Sequence, residues 1–205
     1  MKKGVIFALV LLLMLVPFMG FSASKSAKWD SYLKPGNMVV SGGVGYGYSW
    51  TWSVGDLLTL GYTYSGFSGF GLYGGVEVIL GQFKIANVVP LQFGVAGRAS
   101  FTITYGSGLA GGGVGTLHLS FKGLNLPFDY LNNLDAYLGI GLGMTMGISA
   151  PLGLYSEYLR PAPFSLGFGS IVGSSYFFND NVAIFVEEQY FATFWGSTIG
   201  VLVKM

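Results

Sequence analysis

"AYLGIGLGMTMGI", residues 136–148, opens a stretch from 136 to 156 that carries no charged residue. A run of that length raises the question of a membrane helix. The order of its residues argues against one. Ala136, Leu138, Ile140, Leu142, Met144, Met146 and Ile148 fall on one parity, and Tyr137, Gly139, Gly141, Gly143, Thr145 and Gly147 on the other. Strict alternation is the period of a β-strand, and glycine is a poor helix residue. A helix would scatter these glycines around its whole surface. The segment therefore predicts a strand with an apolar face and a face of very small side chains.

The same pattern recurs along the chain. "MVVSGGVGYGYS" (38–49) sets Met38, Val40, Val44, Tyr46 and Tyr48 against Val39, Ser41, Gly43, Gly45 and Gly47. "FGLYGGVEVILGQF" (70–83) sets Phe70, Leu72, Val76, Val78 and Leu80 against Tyr73, Gly75, Glu77 and Gly81. "LQFGVAGRASFTITY" (91–105) places Arg98 on its polar face, and "GTLHLSFK" (115–122) places His118 and Lys122 there. "FSLGFGSIVGSSYFF" (164–178), "NVAIFVEEQYFATFW" (181–195) and "STIGVLVKM" (197–205) complete eight candidate strands.

Composition separates the architectures open to such strands. Charged residues make up 9% of the chain and glycine contributes 34 residues of 205. A soluble β-sandwich or lipocalin-like barrel would need Lys and Glu on its outer faces, whereas the non-apolar faces here are mainly Gly, Ser and Thr. Strands of about 9–15 residues are long enough to cross a bilayer when tilted. Only helices and closed barrels satisfy their backbone in hydrocarbon, and small inward residues suit a narrow lumen. The expected fold is an all-β transmembrane antiparallel up-and-down β-barrel of eight strands. A ten-stranded variant is open if 28–34 forms a short strand.

The N-terminus has Lys2 and Lys3, the apolar run "GVIFALVLLLMLV", and the small residues Ser22 and Ser24 in "FSAS". These read as a signal peptide over 1–24, with the barrel domain over 25–205. Removing Lys2 and Lys3 leaves eight positive against nine acidic residues, a net charge of −1. No basic block is present for nucleic acid. Cysteine is absent, so neither a disulfide framework nor a thiolate metal site is expected, and no cofactor is implied. With an even number of strands both ends lie on the periplasmic side. Segments 84–90, 123–134 and 178–181 are then periplasmic turns, and 50–69, 106–114, 149–163 and 195–197 are extracellular. "LLTLGYTY" (57–64) also alternates and reads as an extension of the first hairpin above the membrane. "GSGLAGGGVG" (106–115) lacks the lysine and helix of a phosphate loop and reads as a flexible loop.

The glycine-rich strands, "LDAYLGIGLGM", "NDNVAIFVEEQYF" and the closing "IGVLVKM" resemble the small eight-stranded outer-membrane proteins of the OmpA/OmpX/OmpW type. The chain departs from that pattern in ending on Met205 rather than an aromatic residue. The resemblance implies residence in the cell outer membrane of a diderm bacterium and insertion by the barrel assembly machinery. It does not fix an activity.

Scarce charge makes its placement informative. Reflecting the strands about their expected turns sets Glu77 opposite Arg98, and Arg98 opposite His118. The expected site is a lumenal charge cluster of Glu77, Arg98, His118, Lys122 and Glu187, with Gln189 beside it. It acts as a structural plug or as a gate. Glu188 points at lipid unless a bulge turns it inward. Trp50, Trp52, Tyr62, Tyr64, Phe67, Phe70, Tyr73, Tyr155, Tyr158 and Trp195 flank strand ends as an interfacial girdle or an apolar mouth. The lone His118 and neighbouring Ser120 lack a compelling third member, so no enzyme and no metal site is expected. The functional expectation is a structural or small pore-forming protein. Alternatives are a conduit or binding protein for small hydrophobic molecules and a surface adhesin. Partners are outer-membrane lipid, the assembly machinery and small hydrophobic or polar solutes.

Overall fold

The computed structural model describes residues 31–51, 65–85, 89–124, 129–149 and 164–205. Seven continuous strand elements run in chain order: β1 (Met38–Thr51), β2 (Ser65–Ile85), β3 (Val89–Ser120), β4 (Leu134–Ser149), β5 (Ser165–Phe177), β6 (Val182–Phe191) and β7 (Phe194–Lys204). β3 is two strands in one. Its rising limb, 89–105, pairs with β2, and its falling limb, 107–120, pairs with β4. The limbs also lie against each other, with the Ser100 hydroxyl donating to the Ala110 carbonyl. Every neighbour is antiparallel, and β7 pairs with β1 to close the ring. The result is a closed, eight-stranded, up-and-down barrel.

Its surface is inverted relative to a soluble protein. Phe70, Leu72, Leu142 and Leu166 are 66–76% exposed on the outer wall. Glu77, Arg98, His118, Asp135 and Glu187 are buried inside. Apolar side chains outside and charge inside suit a wall bathed in hydrocarbon. No described helix is long and apolar enough to cross a membrane.

Glycine divides between the two faces for different reasons. A Cβ on lumen-facing Gly45 would lie 2.1 Å from the Ser197 carbonyl oxygen, and one on Gly141 2.1 Å from that of Gly113. The strands curl so tightly there that only glycine fits. A Cβ on Gly97 or Gly113, on the lipid side, would meet nothing within 4 Å.

Several boundaries differ from the expectation. Residues 107–115 are strand rather than loop, because "GSGLAGGGVG" supplies the small residues the curled limb needs. β2 begins at Ser65, shortening the first connection. The last turn is at Ala192–Thr193 rather than 195–197, with Phe191 paired to Phe194 and Ala192 at φ 54°. The falling limb stops at Ser120, and Phe121–Leu124 forms a 3-10 turn. Residues 31–37 form turns rather than a further strand. The signal peptide, 57–64, Trp52, Tyr62, Tyr64, Tyr155 and Tyr158 lie outside the described residues.

Both ends of the barrel are stoppered. At the end where β1 starts and β7 finishes, Tyr32 and Leu33 fold under the ring and pack with Val39, Ile79, Phe177, Ala183, Phe185 and Leu202. Tyr32 stacks on Phe177 at 4.4 Å between centroids and donates to Asn133 Oδ1 at 2.8 Å. Gly36, at φ 88°, makes the turn that returns the chain to β1, and its amide donates to the Ile79 carbonyl. At the opposite end Phe191 packs with Ala96, Val114, Tyr137 and Ile171, and Phe194 packs with Tyr73 and Ala110. Tyr73 is thus lumenal, not part of an outer girdle. Phe70 and Trp195 do face outward.

Candidate functional site: a buried charge layer in the lumen

Between the stoppers lies one layer of ionisable side chains. Alternation turns Glu77 of β2, Arg98 of the rising limb, His118 of the falling limb, Asp135 of β4 and Glu187 of β6 inward. Each is at most 8% exposed. Arg98 spans two carboxylates. Its Nη2 donates to Glu77 Oε2 at 3.3 Å, and its Nε lies 3.3 and 3.2 Å from Glu187 Oε1 and Oε2. His118 also spans two, sharing Glu77 with Arg98, with Nε2 2.8 Å from Glu77 Oε1 and Nδ1 2.7 Å from Asp135 Oδ2. A ring donates to both only as the imidazolium, which carries a proton on each nitrogen. Neutral groups complete the shell. Thr116 donates to Glu77 Oε1, Tyr137 to Glu187 Oε2 at 2.9 Å, and Gln189 to Glu187 Oε1 at 2.7 Å.

Glycines let these long side chains lie across the lumen. A Cβ at Gly75 would come within 2.6 Å of Arg98 Cδ, and one at Gly173 within 2.5 Å of the Tyr137 hydroxyl. Tyr137 in turn stacks on His118, with centroids 5.1 Å apart.

The structure brings Glu77, Arg98, His118 and Glu187 together, but not by the expected pairings. Arg98 sits opposite Gly75, and Glu77 opposite Ala96, with a register shift between Ile79 and Gly81. A Cβ on Gly111 would touch Ala99 Cα, and one on Gly94 would touch Thr116 Oγ1. Carried down the hairpin, that register puts Gln92, not Arg98, opposite His118. Glu77 is the bridge, taking Arg98 on one oxygen and His118 on the other.

Lys122 is not in the layer. It lies at the terminal end, 3.5 Å from Asp180 Oδ1, with its ammonium 4.2 Å from the Tyr32 ring centroid. The 3-10 turn after Ser120 breaks the alternation that would have carried it inward. Asp135 went unrecognised, although it shares the parity of Tyr137 and could have been found by extending that strand by one pair. Glu188 faces outward, one pair below Tyr190 and Trp195, and accepts from Ser197 Oγ at 2.7 Å.

A ring closed strand to strand, apolar without and charged within, decides the architecture. The chain has the fold of the small outer-membrane β-barrels. No protein-family model matches the sequence, and no curated protein sequence matches it. Among solved structures it is similar to Neisserial surface protein A, at 16% identity over 82% of this chain and 96% of that one, TM-score 0.45. The N-terminal β-barrel domain of Pseudomonas aeruginosa OprF gives 11% over 83% and 98%, TM-score 0.47. Ail, the attachment invasion locus protein of Yersinia pestis, gives 14% over 83% and 99%, TM-score 0.44.

Chemically the layer is engaged with itself. Both nitrogens of His118 face carboxylates, so neither is placed to activate the neighbouring Ser120 hydroxyl. No group of three or more His, Cys, Asp or Glu among the described residues is placed to hold a metal ion. The arrangement cross-links five of the eight strands of the barrel wall, the two limbs of β3 among them.

Proposed function

We propose that this chain is an integral outer-membrane protein of a diderm bacterium whose lumen is sealed, serving as a structural barrel rather than as a standing channel. One observation carries the reading. Two apolar stoppers, one built on Tyr32, Leu33, Phe177 and Phe185 and one on Phe191 and Phe194, bracket the buried charge layer. Ions meet apolar packing at both ends. A hydrophobic solute would have to cross the charges between them, which argues against a conduit along the axis. Outer-membrane lipid is the partner that the exposed apolar wall fits. Val203 on the ring-closing strand β7 and Met205 just after it face outward, which supports insertion by the barrel assembly machinery.

Reconstitution into planar bilayers tests the reading. Insertion is verified by heat-modifiable migration, and current is recorded at moderate voltage of both signs. The expected record has no steady conductance. A continuously open channel in the wild-type protein overturns the sealed-barrel reading.

A further inference from the structure

The charges of the lumenal layer do not balance. Glu77, Asp135 and Glu187 supply three carboxylates, while Arg98 and His118 supply two positive charges even with His118 as the imidazolium. Uncompensated charge in a low-dielectric interior is costly. A separate observation locates where compensation fits. Ten buried side-chain atoms among the described residues lack a protein hydrogen-bond partner, and five lie in one corner of this layer: Gln92 Oε1 and Nε2, Ser120 Oγ, Asp135 Oδ1 and Ser175 Oγ. All four residues are at most 1% exposed. Ser120 is directly opposite Asp135, and Asp135 directly opposite Ser175. Side chains so paired on one face are neighbours, with Cβ atoms about 4.5–5.5 Å apart. Gln92 lies one diagonal from Ser120 across the β3 hairpin. Buried polar atoms of this kind normally have a partner.

We propose that the corner formed by Gln92, Ser120, Asp135 and Ser175 binds one small monovalent cation. Its donors are oxygens: one carboxylate oxygen, two hydroxyls and an amide carbonyl. Hard cations take such ligands, and divalent calcium sites recruit more carboxylate than this. A single positive charge brings the layer to neutrality. A proton on Asp135 would also balance the charge, but it would leave most of the unpartnered atoms as they are. The inference does not depend on whether the barrel conducts.

The test uses the full barrel refolded in non-ionic detergent at pH 8 and constant ionic strength, with sodium exchanged for N-methylglucamine. Thermal unfolding is followed by circular dichroism and by the gel shift. Binding to the folded state alone predicts that Tm rises by roughly 3–6 °C per tenfold increase in sodium above half-saturation. Ser175→Ala should move half-saturation to higher sodium, and Asp135→Asn should abolish the response. Should Asp135→Asn fail to fold, Ser120→Ala and Ser175→Ala carry the test. Sodium-23 relaxation on the wild-type barrel then reads the site directly, with broadening that potassium competes away. Equal melting in sodium and N-methylglucamine overturns the proposal. So does a sodium response unchanged in the serine variants, or melting that follows pH but not sodium, which would assign the balancing charge to a proton.

Discussion

Replacing Arg98 by Met is the perturbation that tests the charge layer most sharply. Methionine keeps much of the apolar stem's volume and removes three N–H···O contacts of 3.2–3.3 Å to two buried carboxylates. Removing one partner of a buried ion pair costs about 3–5 kcal/mol, chiefly because a charge is stranded. The structure says which charge. Glu77 keeps His118 at 2.8 Å and the Thr116 hydroxyl. Glu187 keeps only the neutral donors Tyr137 and Gln189, since Arg98 is its only ion-pair partner among the described residues. The loss should therefore fall mainly on Glu187. Equilibrium urea unfolding in lipid vesicles, followed by tryptophan fluorescence, measures it. Arg98→Met should lose about 3–5 kcal/mol. Adding Glu187→Gln should recover roughly half or more of that loss, and adding Glu77→Gln distinctly less. An Arg98→Met barrel within about 1 kcal/mol of wild type, or a larger rescue by Glu77→Gln, would refute the assignment.

Gly141→Ala should impair assembly, because its Cβ would fall 2.1 Å from a backbone oxygen, while Gly113→Ala on the open outer wall should assemble normally; the heat-modifiable fraction after refolding compares them. Phe177→Ala empties the centre of the terminal stopper and should cost about 3–5 kcal/mol in the same urea assay. Ala192→Gly relieves a left-handed non-glycine residue at φ 54° and should raise stability by up to about 1 kcal/mol, read as a higher urea midpoint. Val203→Asp places a carboxylate on the outer face of the last strand and should lower the folded yield in cells; normal assembly would mean that this face does not contact lipid.

Alternation alone carried the faces. Every inward residue of the charge layer except Asp135 was reached by counting parity, and parity survives errors in strand ends. Register did not follow so directly, because it depends on turn geometry and bulges. The hairpin pairs Ile85 with Val89, one residue off the expected register, and the shift between Ile79 and Gly81 adds a second, so that Arg98 faces Gly75 rather than Glu77; nothing in "VILGQF" announces a bulge more strongly than a plain strand glycine. Side-chain length concealed the error: Arg98 reaches Glu77 from two positions away. The turn at Ala192–Thr193 was missed for the opposite reason, since "QYFATFW" contains no Gly, Pro, Asn or Asp to mark it. Lys122 was misplaced because parity was extended past the point where the strand gives way to a 3-10 turn.

The turn between β6 and β7 spans two residues, Ala192 and Thr193, and the phenylalanines on either side of it are the ones that fill the far end of the lumen. Closure on that side is thus delegated to a two-residue link. The hairpin and the packing at that end are set by the same four residues, Phe191 to Phe194, which therefore tolerate almost no change in length. A single insertion beside Thr193 should move one phenylalanine off the lumenal face and admit a current in planar bilayers.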